Sequence, residues 1–197
     1  MESVESQVLR QIEVLPKGEL LLPSDFSELG SSEAVRLAFF RLERAGVITR
    51  VAKGIYVRPK KSKLIGEILP TAEEIADAIV RRDRIRAVPA GSYALNALGL
   101  STQVIMNIVI LTDGAPREIK IGKRTIKFKK ATPKNLLAKG KISRLVIQAL
   151  KEIGKGKVTG EEEDKIIELL RAENKMDLKH DIALAPVWIQ KIMKKAV

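Results

Sequence analysis

The stretch SSEAVRLAFFRLERAGVITRVAKGIYVRP, residues 31–59, decides the fold that the sequence predicts for the first part of the chain. It opens with two serines, which cap helix N-termini, and Glu33 follows in the first turn, where the helix dipole favours an acid. Gly46 is suited to end that helix. Two runs rich in β-branched residues, 47–51 and 55–58, come next with a short turn between them. The stretch therefore predicts a helix followed by a basic β-hairpin.

Helical periodicity divides this predicted helix into two faces. At about 100° per residue, one face is apolar and the other is polar apart from a single aromatic ring. The apolar face holds Val35, Ala38, Phe39, Leu42 and Ala45. The other face holds Glu33, Arg36, Phe40 and Arg44. We expect the first set to lie in a core and the second to point outward, either into solvent or toward a ligand.

A helix with arginines on its outer face, followed directly by a basic ribbon, has the parts of a winged helix-turn-helix. In that motif the helix enters the major groove of DNA and the ribbon lies along the flanking phosphates. The predicted major-groove residues are Ser32, Glu33, Arg36 and Phe40. Arg44 is predicted to reach a base or a phosphate, and the predicted backbone contacts are Arg50, Lys53 and Arg58. An outer face that is merely solvated is the alternative.

The residues before this stretch complete the same pattern. A helix at 4–15, a short extended piece at 20–22 and a short helix from Ser24 give the order of a winged helix, which would end at Pro59. Residues 1–30 carry a net charge of −4, whereas residues 31–60 carry +5. Positive charge is therefore concentrated on the predicted DNA-reading half, as a surface that faces phosphates requires.

The rest of the chain predicts a second domain, so that the domains are 1–59 and 70–197 with a basic linker at 60–69. The second domain begins with a helix and ends with further helices. Between them lie three strand-like runs separated by turn residues, which we expect to form an antiparallel three-stranded meander: 104–111, 117–121 and 124–130. The sequence therefore predicts an α+β protein: an N-terminal winged helix-turn-helix, then a mixed α+β domain.

Residues 61–140 carry a net charge of +8, the largest excess in the chain. The predicted basic surface of the second domain comprises Lys120, Lys123, Arg124, Lys127 and Lys129. Alternation along the strands does not assign all five to one face. Such a surface suits an extended DNA footprint, an RNA or an acidic protein, and charge alone does not separate these partners.

The composition of all 197 residues bounds the class of protein. A net charge of +12 favours a nucleic acid or another acidic partner, and the absence of cysteine excludes disulfides and thiolate metal sites. No segment reaches the length of an apolar membrane span, and the acidic N-terminus lacks the pattern of a signal peptide. We therefore predict a cytoplasmic protein with no membrane partner.

The sequence points to no catalytic site and no cofactor. His180 is the single histidine, and it has neither a cysteine nor a second histidine with which to hold a metal ion. Most acidic side chains stand at predicted helix starts, where capping and the helix dipole account for them. We therefore predict that the protein is not an enzyme and binds no metal.

Four motifs together resemble the AbiEi-type antitoxins of type IV toxin–antitoxin systems, which act in phage defence. They are FRLERAGVITRVAKGIYVRP, VPAGSYALNALGLSTQ, VILTDGAPREIKIGKRTIKFKK and LVIQALKEIG, and the resemblance spans residues 24–153. It implies a winged helix that represses its own promoter, and a second domain that opposes a nucleotidyltransferase toxin without a stable complex. The C-terminal segment MDLKHDIALAPVWIQKIM matches no motif of that family. The alternative is a winged-helix regulator, or an RNA- or protein-binding module, without a toxin partner.

Overall fold

The structure is a computed structural model that describes residues 2–62, 64, 66–121 and 123–197. It is a mixed α+β protein, as the sequence predicts, and it divides into two compact units, Met1–Arg84 and Ile85–Val197. The predicted division placed the second domain at 70–197. The observed boundary instead groups the helix after the predicted linker with the first unit.

The N-terminal unit begins with the elements that the sequence predicts. They are α1 (Val4–Val14), β1 (Leu20–Leu21), a 3-10 helix (Pro23–Leu29), α2 (Ser32–Arg44), β2 (Thr49–Ala52) and β3 (Ile55–Val57). Helix α2 begins where the serine pair predicts, because the Ser31 hydroxyl accepts a hydrogen bond from the Ala34 amide at 3.2 Å. Gly46 follows its C-terminus with φ +71°, a backbone conformation that glycine adopts readily.

An aromatic cluster holds these elements together. The three short strands form an antiparallel sheet in the order β1-β3-β2. Phe39 on α2 lies between two rings, 5.2 Å from Phe26 of the 3-10 helix and 5.1 Å from Tyr56 of β3, measured between ring centroids. Burial of such rings removes a large apolar area from water, and edge-to-face geometry adds to the attraction. The cluster therefore fixes α2 against both the 3-10 helix and the sheet.

The predicted linker, 60–69, contains a two-stranded antiparallel ribbon. β4 (Lys60–Ser62) pairs with β5 (Gly66–Ile68), with Lys60 opposite Ile68. Positions 63 and 65 of the predicted linker lie outside the described residues. Where it is described, this segment is hydrogen-bonded structure rather than an extended spacer.

Helix α3 (Ala72–Asp83) completes the first unit. It starts with a capping box, in which the Thr71 hydroxyl accepts from the Glu74 amide at 3.2 Å and the Glu74 carboxylate accepts from the Thr71 amide at 2.7 Å. Its apolar face is buried, with Ile75 and Ile79 both at 0% exposure.

The second unit contains a four-stranded mixed sheet, and the predicted antiparallel meander is wrong. Its strands are β6 (Ala87–Ala90), β7 (Asn107–Thr112), β8 (Arg117–Ile121) and β9 (Arg124–Lys130), in the order β6-β7-β9-β8. β7 and β9 pair in parallel, from Asn107 opposite Thr125 to Thr112 opposite Lys130. β8 and β9 form the predicted hairpin, but the strand of this hairpin that pairs with β7 is β9.

Burial explains why β9 rather than β8 lies inside the sheet. Ile126 and Phe128 of β9 are 0% and 2% exposed, and they pair across the register with buried Ile108 and Ile110 of β7. β8 alternates half-buried and exposed residues, which suits an edge strand. Turn chemistry predicts where the chain reverses, whereas the choice of neighbouring strand depends on which apolar face is buried more deeply.

Helices form the rest of the second unit. They are α4 (Ser92–Ala97), α5 (Pro133–Leu136), α6 (Lys141–Ile153), α7 (Gly160–Arg171), α8 (Lys175–Leu184), α9 (Val187–Met193) and a final 3-10 turn (Lys194–Ala196). Helix α6 is central, because Val146, Ala149 and Leu150 are all 0% exposed in the core that these helices share. None of the helices within the described ranges is both long and apolar enough to cross a bilayer.

Two carboxylates hold the N-terminus of α6. Asp181 is completely buried, and its two oxygens accept hydrogen bonds from the amides of Lys139 and Gly140 at 2.9 and 2.8 Å. Glu173 accepts from the amide of Ile142 at 2.6 Å. Free amides and the positive end of the helix dipole favour negative charge at this position. His180, the single histidine, lies beside this cluster with Nδ1 2.7 Å from Asp181 Oδ1.

We expect Asp181→Ala to destabilise the protein by about 2–3 kcal/mol, because it leaves the buried Gly140 amide and the part-buried Lys139 amide without their charged acceptor. Urea denaturation of the full chain measures the change. Asp164→Ala, at an exposed position of α7, serves as the control and should change stability by less than about 0.5 kcal/mol. Equal, small effects of the two variants would contradict the role given to Asp181.

Candidate nucleic-acid interface

Helix α2 presents its two predicted faces almost as the periodicity requires. The buried residues are Val35, Ala38, Phe39 and Leu42. Ala45, predicted to point inward, is instead exposed, because it is the C-cap residue and the apolar core does not extend past Leu42. Each of the predicted outward residues is exposed: Ser32, Glu33, Arg36, Phe40 and Arg44.

Apolar side chains stand among the charges on the outer face of α2. Phe40 is 51% exposed, and the guanidinium carbon of Arg44 lies 5.8 Å from the centroid of its ring. Leu37 on the same helix is 48% exposed. The sequence prediction did not include Leu37. A signal was available, because Leu37 is an apolar residue of this helix that does not belong to the inward set. An outer face with arginine, phenylalanine and leucine is able to contact both acceptor edges and thymine methyl groups.

Arg36 borders a pocket of about 540 Å³ within the first unit. The N-terminal end of α2, the 3-10 helix, the β2–β3 turn and the end of α3 form its walls, and serine hydroxyls from Ser24, Ser27 and Ser32 line it. The pocket leaves space beside the Arg36 side chain. Because Arg36 is exposed and borders this open space, its side chain is accessible to a ligand.

The β2–β3 ribbon carries two exposed cations, Arg50 on β2 and Lys53 in the turn. Gly54 in that turn has φ +70°, so the left-handed conformation that it needs favours glycine. The guanidinium of Arg82 on α3 donates from Nη1 to the Lys53 carbonyl and from Nε to Asp83 Oδ1 at 2.7 Å. Arg82 therefore fixes the turn from a helix that the sequence prediction placed in the other domain.

The sequence predicts Arg58 as a phosphate contact, whereas the structure gives it a role inside the protein. It is half-buried, and Nη1 donates to the carbonyls of Glu13 and Ile12 at 2.8 and 3.4 Å. Those carbonyls belong to the last turn of α1, whose acceptors need donors from outside the helix. The position and hydrogen bonds of Arg58 are accounted for without DNA, and we leave it out of the surface formed by α2 and the β2–β3 ribbon.

In the second unit the strand register places only part of the predicted basic surface on one face. Thr125, Lys127 and Lys129 are alternate residues of β9, so they lie on one face of the sheet. Lys120 of β8 pairs with Thr125 and therefore lies on the same face. Arg124 lies on the other face of the sheet, and its cross-strand partner is Ile121 of β8. Lys123 is exposed in the turn, where position 122 lies outside the described residues.

One of the three lysines on the shared face is partly neutralised within the protein. Lys127 Nζ lies 3.6 Å from Glu118 Oε2 on the neighbouring strand. Exposed pairs of this kind contribute little to stability, and salt screens them. Lys120 and Lys129 are exposed, and they supply most of the positive charge on this face.

No three side chains of the metal-binding types histidine, cysteine, aspartate and glutamate come together within residues 2–62, 64, 66–121 and 123–197. The acidic residues around His180 are used in backbone hydrogen bonds of α6, as described above. The predicted contact residues that the structure brings together on one exposed surface lie on the outward face of α2 and on the β2–β3 ribbon.

Comparisons with known proteins place the chain in a family. No curated protein matches it. The crystal structure of the RV2827C protein from Mycobacterium tuberculosis is similar at 13% sequence identity and a TM-score of 0.42, covering 98% of this chain and 82% of that one. A family model described as a family of unknown function, DUF6088, matches residues 7–178. Because the match covers most of its length, the chain belongs to the DUF6088 family.

Proposed function

We propose that the first unit binds double-stranded DNA as a winged helix, with α2 in the major groove and the β2–β3 ribbon on the flanking phosphates. The observation that carries the proposal is the exposed outer face of α2, with Arg36, Phe40 and Arg44, followed directly by a ribbon with Arg50 and Lys53. The element order and the β1-β3-β2 sheet also support it, since a winged helix has the same arrangement.

Arg36 is the residue that we assign to base recognition. It lies in the first half of α2, near the N-terminal end that typically contacts base edges in helix-turn-helix proteins. Its guanidinium is able to donate two parallel hydrogen bonds to guanine, the commonest specific contact in the major groove. Phe40, one turn further on, would contact a thymine methyl group, and Arg44 would reach a base or a phosphate.

The ribbon would supply contacts that do not depend on sequence. Arg50 and Lys53 are exposed and carry charges that suit phosphate oxygens. The hydrogen bond from Arg82 to the Lys53 carbonyl limits the conformations of the turn before DNA arrives. A turn that is already ordered loses less conformational entropy on binding, which favours affinity.

We further propose that the protein is an antitoxin that represses its own promoter and opposes a nucleotidyltransferase toxin encoded beside it, in the cytoplasm and without a stable complex. Support for this step is the motif resemblance over residues 24–153 alone. The second unit would carry the opposition to the toxin without being an enzyme. The basic face with Lys120 and Lys129 favours one alternative, an RNA- or protein-binding module without a toxin partner.

We expect Arg36→Ala to weaken binding to the promoter of its own gene by about 1–3 kcal/mol and to leave binding to random duplex nearly unchanged. Lys53→Ala should instead weaken binding to both duplexes alike and lower the salt slope by about one. Fluorescence anisotropy with the full chain, repeated at several salt concentrations, measures both quantities.

The control for these variants is Arg10→Ala on α1, whose guanidinium is paired with Glu2. It removes the same charge from the first unit at a position outside α2 and the ribbon, and it should change neither affinity nor specificity. Equal losses on promoter and random DNA for Arg36→Ala would refute the assignment of that residue to base recognition.

The antitoxin role predicts a separation of two activities. When the neighbouring nucleotidyltransferase gene is induced in cells, co-expression of this chain from an unrelated promoter should restore growth. Arg36→Ala should restore growth equally well while failing to repress a reporter under the chain's own promoter. Absence of rescue by the unmodified chain would contradict the antitoxin role and favour a regulator without a toxin partner.

A further inference from the structure

The second unit contains a groove of about 460 Å³ that the proposed DNA contacts do not use. Strands β7 and β9 form its floor, α6 forms one wall, and the start of α4 closes one end. Val109 and Leu111 of β7 supply a half-buried apolar surface on the floor. This volume lies within the range of pockets that hold small molecules.

Gln148 on α6 is the side chain that marks the groove as a binding site. It is only 5% exposed and lines the groove. Within the described residues, no side-chain hydrogen bond of Gln148 is found, and its amide atoms are not among the fully buried unpaired ones, so they reach the open space of the groove. A carboxamide that faces open space and has both a donor and an acceptor free is able to hydrogen-bond a ligand with complementary groups.

A smaller cleft on the other side of Gln148 does not offer an equal explanation. It has a volume of only about 10 Å³ and is lined by Lys134, Asn135 and Leu184, among others. Such a space holds at most one water molecule. The groove is the only one of these two spaces that admits an organic ligand.

Cations at the rim of the groove indicate an anionic ligand. Lys129 of β9 and Lys151 of α6 both line it. Lys151 Nζ donates to Asn135 Oδ1 at 2.7 Å, which uses one of its three donors and leaves two for a ligand. Although much of the residue is exposed, burial of its amine end and the nearby charge of Lys134 lower the pKa of Lys151. An anion bound there would offset both effects.

One acidic group and further polar side chains lie at the closed end of the groove. The Glu152 carboxylate packs beside Gly91, where a Cβ atom would lie 3.6 Å from its Oε2. Ser92 and Asn107 are exposed and also line the groove. Carboxylates accept hydrogen bonds from ribose hydroxyls in many nucleotide sites.

We propose that this groove binds a nucleoside phosphate. The base lies on Val109 and Leu111 with its edge hydrogen-bonded to the Gln148 carboxamide, as glutamine pairs with adenine in other complexes. The phosphates lie between Lys129 and Lys151, and Glu152 accepts from the ribose. The inference goes beyond DNA binding by the first unit and does not depend on it. The ligand is either a free nucleotide or the terminal nucleotide of an RNA strand, which share this chemistry.

Calorimetric titration of the full chain with ATP, GTP, CTP and UTP, and with a twelve-nucleotide single-stranded RNA, tests the proposal. We expect at least one of these probes to bind at a single site. Gln148→Met keeps the size of the side chain but removes its hydrogen bonds, so it should weaken binding by about tenfold or more without lowering the melting temperature. Lys151→Ala should weaken binding similarly.

Lys179→Ala is the matched control, because it removes one exposed cation of α8 that belongs neither to the groove nor to the basic face of the sheet. It should change the affinity by less than about twofold. If free nucleotides displace the RNA, the ligand is a free nucleotide. If the RNA binds in a Gln148-dependent way and nucleotides do not bind, the ligand is a strand end.

The proposal is overturned if no probe binds at millimolar concentration, or if Gln148→Met and Lys151→Ala bind the probes as tightly as the unmodified chain. Neither result bears on promoter binding by the first unit, which is measured separately with duplex DNA. Failure of the nucleotide site and failure of the DNA-binding proposal are therefore distinguishable.

Discussion

Burial of Phe39 between Phe26 and Tyr56 is the constraint on which the candidate DNA-binding surface depends. A helix turns by about 100° per residue, so fixing Phe39 in the core together with its buried neighbours Val35, Ala38 and Leu42 leaves Arg36 and Phe40 outside the buried stripe. The same cluster joins α2 to β3 and hence to the ribbon with Arg50 and Lys53. One packing interaction therefore sets the directions of the helix and of the ribbon together.

The structural features that follow from helical periodicity and capping were predictable from the sequence. The start of α2 at Ser31, its four buried residues and the hairpin with Gly54 all follow from local rules. The parallel pairing of β7 with β9 was not predictable in this way, because turn residues give the reversals of the chain but not the neighbour of each strand. Long-range burial of Ile126 and Phe128 decides that neighbour.

Side-chain roles that depend on distant partners were also beyond the sequence. Arg58 looked like a phosphate contact because it ends a basic ribbon, yet its partners are carbonyls of α1 more than forty residues earlier. Arg82 stands in the last turn of α3, yet it holds the carbonyl of Lys53, which is 29 residues earlier in the chain. Gln148 gave no signal at all, since a glutamine in an amphipathic helix is normally exposed, and only its 5% exposure makes it notable.

A salt titration of the full chain shows whether the surface of α2 and the β2–β3 ribbon reads duplex DNA. Binding to the DNA upstream of its own gene is compared with binding to a random duplex of equal length. We expect a specificity ratio of about 10³ or more, with a slope that corresponds to several phosphate contacts. Equal, weak binding to both duplexes would contradict this expectation and would mean that the charge of +12 attracts nucleic acid without reading it.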